Sequence, residues 1–523
     1  MRVERTKNAS RNIIFGFIQK IYSLAVPFIV RTLMIYFMGV QYLGLNSLFS
    51  SILSVLNLTE LGVGVAMVYS MYKPIVEDDN VKICQLMKLY RTYYRIIGAA
   101  IAVLGCAIIP FLPSLIAEES LESLPPELNI YILYALNLAA TVLTYWLFAY
   151  KNCLLNAFQR NDVTSKISLA VLTVQYGLQI VAICWLKDYY VYLIVILVTQ
   201  IMSNIITALL ANKMFPDLKP KGNLSKEEKK SINHRIGDIF TANLGHVVMG
   251  PIDTIVISAF LGLTVLAIYQ NYYFILTAII GIVKIIFDAC SAGIGNSLIL
   301  ETKEKNYNDF KKLTFIIAWI TGFCTVCFLC LYQPFMKIWV GEELMLDLLA
   351  VIFFCIYFYV YELSQVLNTY KVAAGIWHED RFRPLITAIA NLVMNLIFVQ
   401  FWGIYGVLAS TFISTLVIGM PWLIYNLFSM IFEKKQIKSY VLRLLYYTVI
   451  TACACGITYL ICDLLAFSND WVTLIVRLAI CLIIPNIIFY ISYRWCREYK
   501  GMVQLINKLT KGKIRFLNKY ENM

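Results

Sequence analysis

The chain has 523 residues, of which 60% are hydrophobic and 14% charged, with 44 Lys and Arg against 31 Asp and Glu for a net charge of +13. A soluble domain carries about 25% charged residues to wet its surface, so a soluble globular protein is excluded and most of this surface must face lipid. The basic excess lies between apolar runs, not on a face suited to nucleic acid, which removes nucleic acid from the partners.

Runs of about twenty apolar residues span a hydrocarbon layer of roughly 30 Å, and they predict an all-α membrane protein of about fourteen transmembrane helices. The first, 13–38, follows the basic stretch MRVERTKNASRN. It is too long for a signal-peptide core and lacks a small-residue cleavage site, so it reads as an uncleaved helix. Further spans fall at 43–72, 93–116, 128–154, 167–186 and 190–212, completing a first six-helix lobe over 1–212. Residues 213–235 are charged and broken by Pro and Gly, and they read as a cytoplasmic linker. Six more spans follow within 236–430, at 236–260, 266–299, 313–332, 346–371, 385–402 and 404–430; an extra pair occupies 431–495, at 441–462 and 472–495. The loop 372–384 stands out for its WHEDRFRP stretch. The tail 496–523 alternates apolar residues with Lys and Arg, as an amphipathic helix on the anionic lipids of the inner leaflet would.

Basic residues set the orientation. With both termini cytoplasmic, the outer loops hold only Lys187 and Lys337; Lys20, Arg31, Lys284 and Arg477 lie within spans, and the other 38 of the 44 fall in inner segments and helix feet. Outer loops carry acids instead, among them Glu118, Glu122 and Asp470, and Trp185, Trp339, Trp402 and Trp471 fall near outer ends as an aromatic belt.

The halves share a pattern. RTLMIYFMGVQYLGL from Arg31 aligns with DTIVISAFLGLTVLAI from Asp253, pairing Thr32 with Thr254, Gly39 with Gly262 and Leu43 with Leu266. Parallel six-helix halves are a transporter plan, with substrate bound between them.

A charge at mid-bilayer costs from about 3 to over 10 kcal/mol, so residues kept there face a cavity or a partner. Lys20 and Arg31 are eleven residues apart on the first span, roughly 20° from a common face, with Pro27 between them to bend the helix. Arg31 lies about 27 Å along that helix, and the two make a cationic stripe suited to phosphate or pyrophosphate. Asn46, Asn57 and Glu60 lie on the second span, His246 and Asp253 on the seventh, Lys284 and Asp288 one turn apart on the eighth, and Glu362 on the tenth. Lys284 and Asp288 have a plainer reading as mutual neutralisation, and Arg477 as a residue snorkelling to headgroups. Amide pairs recur at helical spacing: Gln175 with Gln179, Gln200 with Asn204, Asn391 with Asn395. They fit interhelical hydrogen bonding better than sugar binding. Cys324, Cys327 and Cys330 have helical spacing but no nearby His or carboxylate, so packing outweighs metal binding and no metal or cofactor is expected.

The opening stretch, with Gly39-x4-Gly44-Leu45, Glu60-Leu61-Gly62-x-Gly64 and Tyr72-Lys73-Pro74, resembles the polysaccharide-biosynthesis exporters. These are the Wzx-type flippases of O-antigen and capsule units, in the superfamily of multidrug MATE transporters and the lipid II flippase. The specific likeness covers about the first 80 residues; the span pattern extends it to the whole chain. It implies two pseudo-symmetric six-helix lobes in a V around a central cavity, with the extra helix pair guiding a lipid tail. The implied activity is moving undecaprenyl-pyrophosphate-linked oligosaccharide across the bacterial cytoplasmic membrane for surface polysaccharide such as lipopolysaccharide, beside polymerase machinery. Arg31, Lys20 and Lys284 are then the cationic cavity residues. Lipid II flippases carry several first-lobe arginines where only Arg31 stands here, which argues against lipid II itself. With no P-loop, an ion or substrate gradient must drive transport, and Asp253, Asp288, Glu60 and Glu362 are the coupling candidates. A MATE-like cation-coupled drug antiporter is the rival. A membrane glycan polymerase is weaker, because the outer loops hold neither His nor Arg.

Overall fold

The computed structural model describes residues 5–465 and 467–509, and every regular element among them is helical. In chain order the α-helices are α1 (Arg5–Phe37), α2 (Val40–Leu56), α3 (Val63–Val76), α4 (Asn80–Ile108), α5 (Glu118–Glu122), α6 (Ile130–Trp146), α7 (Tyr150–Ala157), α8 (Asn161–Val181) and α9 (Tyr189–Met214). They continue as α10 (Lys226–Leu300), α11 (Lys303–Val340), α12 (Leu348–Ala373), α13 (Arg383–Ser414), α14 (Met420–Met430), α15 (Ile437–Leu464), α16 (Asp470–Tyr493) and α17 (Arg497–Leu509).

Among the described residues, eleven helices are long and apolar enough to cross a membrane, or up to twelve if the bent α6–α7 pair is one span. Two of these runs, Val247–Leu300 (54 residues) and Arg383–Met430 (48 residues), each take in two of the stretches read as separate spans, for a physical reason. The stretches read as seventh and eighth spans form one continuous helical run broken at a single residue, Gly262 (φ 87°, ψ 173°). Those read as eleventh and twelfth run together through Gly403 (φ 53°, ψ −129°) and onward by a π-helical turn into α14. Glycine reaches such angles without a Cβ clash, so the chain changes direction there with no loop. Gly39, paired with Gly262 by the repeat, holds a similar conformation between α1 and α2 (φ 117°, ψ 160°).

The chain divides into two compact units, Met1–Ala267 and Ile268–Met523. In the first, α1 packs on α8, α8 on α9, and α6 on α4 and α9. Gly44 of α2 lies against the backbone at Leu263: a Cβ there would sit 2.4 Å from the Leu263 carbonyl oxygen. The stretch read as a linker packs onto this unit. Leu218 and Leu224 are buried, Glu228 pairs with Lys82, and the Arg235 guanidinium lies 4.3 Å from the Tyr69 ring centre.

In the second unit α11 is the hub, contacting α12, α15, α16 and α17. An aromatic core of Phe310, Phe315, Tyr370, Phe428, Tyr440 and Tyr493 surrounds it. Gly322 lets α15 and α16 approach, since a Cβ there would meet Thr451 Oγ1 at 2.8 Å and the Phe489 ring at 3.0 Å. The described part of the tail is helical, and it buries Tyr499 and Val503 in this core. Residues 510–523, the remainder of the expected amphipathic tail, lie outside the described residues, as does the side chain of His246.

Loop 374–382 folds over a buried ion cluster. Asp380 accepts from Arg383 Nε at 2.7 Å and Nη2 at 2.8 Å, pairs with Lys371 Nζ at 3.1 Å, and accepts from Asn426 Nδ2 at 3.1 Å. Burial would push its carboxyl up, but Arg383 and Lys371 outweigh that and hold it below its ordinary value of 3.8.

Candidate functional site

Two polar pockets gather most of the chemistry, one in each unit. The first begins at a break in the second span. After α2 the chain takes a short 3-10 turn over Asn57–Glu60, then Gly62 (φ 92°) starts α3. A carboxylate at such a break is exposed to side chains from several helices. Glu60 accepts from Tyr145 of α6 at 2.9 Å through one oxygen and from Tyr94 of α4 through the other. Tyr90, one turn before Tyr94, donates to the Tyr94 hydroxyl, and Tyr145 also reaches Asn57 Oδ1 at 3.1 Å. Two phenols from two helices thus cage one carboxylate as donors, with the third, Tyr90, backing Tyr94.

The cage opens on a pocket of about 970 Å³. Around it stand Gln19, Asn152, Asn156, Asn161, Gln200 and Asn204. Its floor passes the bend between α6 and α7, 54° in all, where Phe148 takes a positive φ of 60°. A non-glycine residue there stores strain, which accumulates at working sites. A hollow rimmed by amides and hydroxyls, with one carboxylate at its end, offers hydrogen bonds to a neutral polyol and a single negative charge to a cation.

The second pocket, about 220 Å³, lies between α10 and α12. Lys284, Asp288 and Glu362 line it together with Gln365, Asn368 and Thr369. Three residues singled out on two different spans therefore converge. Lys284 and Asp288 are exposed and form no ion pair with each other among the described residues, so they do not simply neutralise one another. Glu362 is 1% exposed, and both of its carboxylate oxygens lack a hydrogen-bond partner among the described residues. A buried carboxylate with no partner is costly when ionised, so this site favours a proton or a bound cation.

The remaining candidates lie elsewhere. Lys20 is exposed on α1, and Arg31 is half-buried beside Tyr192 of α9; neither borders the Glu60 pocket. Asp253 is buried on α10 within the first unit. The amide pairs divide. Asn391 and Asn395 are fully buried and bonded to one another at 3.4 Å, to Thr411 at 3.2 Å and to Ser410, as interhelical bonding requires. Gln200 and Asn204 instead face the first pocket. Tyr90, Tyr94 and Tyr145 escaped sequence reasoning. The spacing of Tyr90 and Tyr94 was a weak signal; the contact of Tyr145 with Glu60 had none.

A third cavity, about 890 Å³, is almost wholly apolar. Helix α15 forms one wall with Val441, Leu444 and Leu445, opposite Ile352 and Ile356 of α12 and Ile424 of α14.

No family model matches the chain, and no curated protein matches its sequence. Solved structures do match. A lipid II flippase MurJ in an inward closed conformation aligns with TM-score 0.65 and 15% identity, over 92% of this chain and 99% of its own. An inward-facing multidrug resistance MATE transporter of the MOP superfamily aligns with TM-score 0.61 and 16% identity, over 80% of this chain and 95% of its own. A MOP superfamily transporter from Pyrococcus furiosus, described as having a binding pocket of reversed polarity, aligns with TM-score 0.54 and 13% identity, over 82% and 97%. The chain is an integral membrane protein with the all-helical fold shared by MurJ and the MATE transporters.

Proposed function

We propose that the protein is a flippase that moves lipid-linked oligosaccharide units, carried on undecaprenyl pyrophosphate, across the cytoplasmic membrane for surface polysaccharide synthesis. The observation that carries this reading is the apolar cavity walled by α12, α14 and α15. A polyprenyl tail needs an apolar course beside a polar hollow, whereas a water-soluble drug cation does not. The MurJ alignment also reaches further along this chain than the MATE alignments do, 92% against 80–85%, and MurJ is named for a lipid-linked substrate.

In this reading Arg31, Lys20 and Lys284 meet the pyrophosphate, and Glu362, Glu60, Asp253 and Asp288 are the groups through which an ion gradient is coupled. Both termini face the cytoplasm, the basic tail meets anionic lipid, and the flipped unit passes to polymerase machinery. The test is reconstitution in proteoliposomes with a pyrophosphate-linked oligosaccharide lipid, measuring its transfer between leaflets. Val441→Trp and Leu445→Trp, which fill the apolar cavity, should reduce transfer at least tenfold at equal protein. Normal transfer by both variants, or none by the wild type, would reject the reading. The buried carboxylates favour the drug–cation antiporter as the alternative, and gradient-driven efflux of a cationic dye unaffected by either Trp would establish it instead.

A further inference from the structure

The cysteines offer a site that the transport reading does not use. Cys330, Cys462 and Cys481 come from α11, α15 and α16, and all three are fully buried. Their sulfurs lie within 4.8 Å of one another, the one such group of potential metal ligands among the described residues. Each thiol is within hydrogen-bonding reach of the other two. Helical spacing had suggested Cys324 and Cys327 as the companions of Cys330, but neither belongs to this group.

A cation is present to compensate charge. Arg477, one turn before Cys481 on α16, donates from Nη1 to the Cys330 carbonyl at 3.3 Å and lies close enough to Cys462 to act on its charge. Its Nε is buried and has no hydrogen-bond partner among the described residues. Arg477 therefore turns into the protein at the trio and does not reach out as a snorkelling residue would. Nearby, Lys337 of α11 pairs with Asp470 at the start of α16 at 3.2 Å, so the helix ends that carry these thiols are pinned independently.

We propose that Cys330, Cys462 and Cys481 form a binding site for a soft divalent cation of the zinc and cadmium class, stapling the C-terminal helix pair to α11. Thiolate sulfur selects such ions over hard ones. Metal–sulfur bonds of about 2.3 Å place three sulfurs about 4 Å apart, so closure takes less than about 1 Å of movement per thiol. Binding releases three protons as three S–H groups become metal-bound thiolates. Three thiolates and a divalent ion leave one negative charge, which the Arg477 guanidinium cancels. A monovalent ion would leave two, and low dielectric penalises the uncancelled one. The inference is independent of what is transported.

The probe is Cd(II) alone, titrated into the full-length protein purified in detergent under reducing conditions. The expected result is one equivalent of sulfur-to-cadmium ultraviolet charge-transfer absorption per chain, together with a rise in unfolding temperature. Cys330→Ala, Cys462→Ala and Cys481→Ala should each abolish the band, and the double variant Cys324→Ala/Cys327→Ala should keep it. If a single alanine variant does not fold, thiol counting on wild-type protein decides between the same outcomes: Cd(II) should protect those three thiols from a membrane-permeant alkylating agent, as mapped by mass spectrometry. No band, a band that survives loss of all three cysteines, protection elsewhere, or a disulfide between any two of the trio in protein handled without reductant would overturn the proposal.

Discussion

Tyr145 donates to Glu60 across 2.9 Å from a position 85 residues further along the chain, and Tyr94 binds the other carboxylate oxygen. Hydrogen bonds to a charged group are worth about 1.5–3 kcal/mol each. Tyr145→Phe and Glu60→Gln should each destabilise the protein by that order, and the double variant by clearly less than their sum. Thermal unfolding of the four proteins completes the cycle. Strict additivity would mean that the cage carries no coupling energy. If Glu60 also takes a coupling proton, Glu60→Gln should stop gradient-driven transport while leaving substrate binding intact.

Arg31 provides the sharpest test of the substrate reading. Its charge is half-buried on α1 and persists at any working pH. Arg31→Ala should block glycan export and cause the lipid-linked precursor to accumulate, while Arg31→Lys should retain part of the export. Lysine keeps the charge without the planar two-point hydrogen bonding of guanidinium. The measurement is surface glycan per membrane-inserted protein. Wild-type export per molecule from Arg31→Ala would remove the cationic-cavity idea.

Asp380 predicts an acid limit to stability. Its carboxyl is held below the ordinary 3.8 by Arg383 and Lys371 against the effect of burial. A depressed carboxyl contributes stability that is fully present above the unfolded value and is lost as pH falls through the folded one. Unfolding temperature should therefore drop steeply from about pH 4 downward. Asp380→Asn should lower stability by about 3–5 kcal/mol at neutral pH, because it leaves two buried cations uncompensated, and should flatten that part of the acid profile. An unchanged profile in Asp380→Asn would assign the acid limit to other groups.

Gly262 should tolerate nothing larger. Its backbone angles are open only to glycine, and a Cβ would sit 2.3 Å from Ser120 Oγ. Gly262→Ala should cost about 1–3 kcal/mol from backbone strain alone. Gly44→Ala meets a different obstacle, the Leu263 carbonyl, and must move backbone. Both should lower unfolding temperature, whereas Gly237→Ala, with nothing within 4 Å of its Cβ, should not. Equal stability of all three would contradict the packing described.

Hydropathy made the spans legible because it is a local property: each run of apolar residues reports its own solvent. The same locality hid how two pairs of spans are joined. At Gly262 and Gly403 one residue makes the turn, with no loop to mark it. Depth along a helix, also local, picked out Lys284, Asp288 and Glu362, which do share a pocket. What stayed hidden is convergence. Nothing near Glu60 in sequence announces Tyr145, and nothing near Cys330 announces Cys462 or Cys481. Such groups are assembled by helix packing, and a single sequence does not record which faces meet.

The corner at Gly39 has a consequence for how this chain can change. Helices joined by loops absorb extra residues at little cost, since slack is taken up in the loop. Between α1 and α2 there is almost no slack, because Phe37 ends one helix and Val40 begins the next. One residue gained at this corner has only the helices to enter, and there it turns the face beyond it by about 100°. Gly44 would then swing away from Leu263, and Glu60 away from its phenols. Such a corner constrains length as much as identity, and a deletion or insertion here should be lethal to folding.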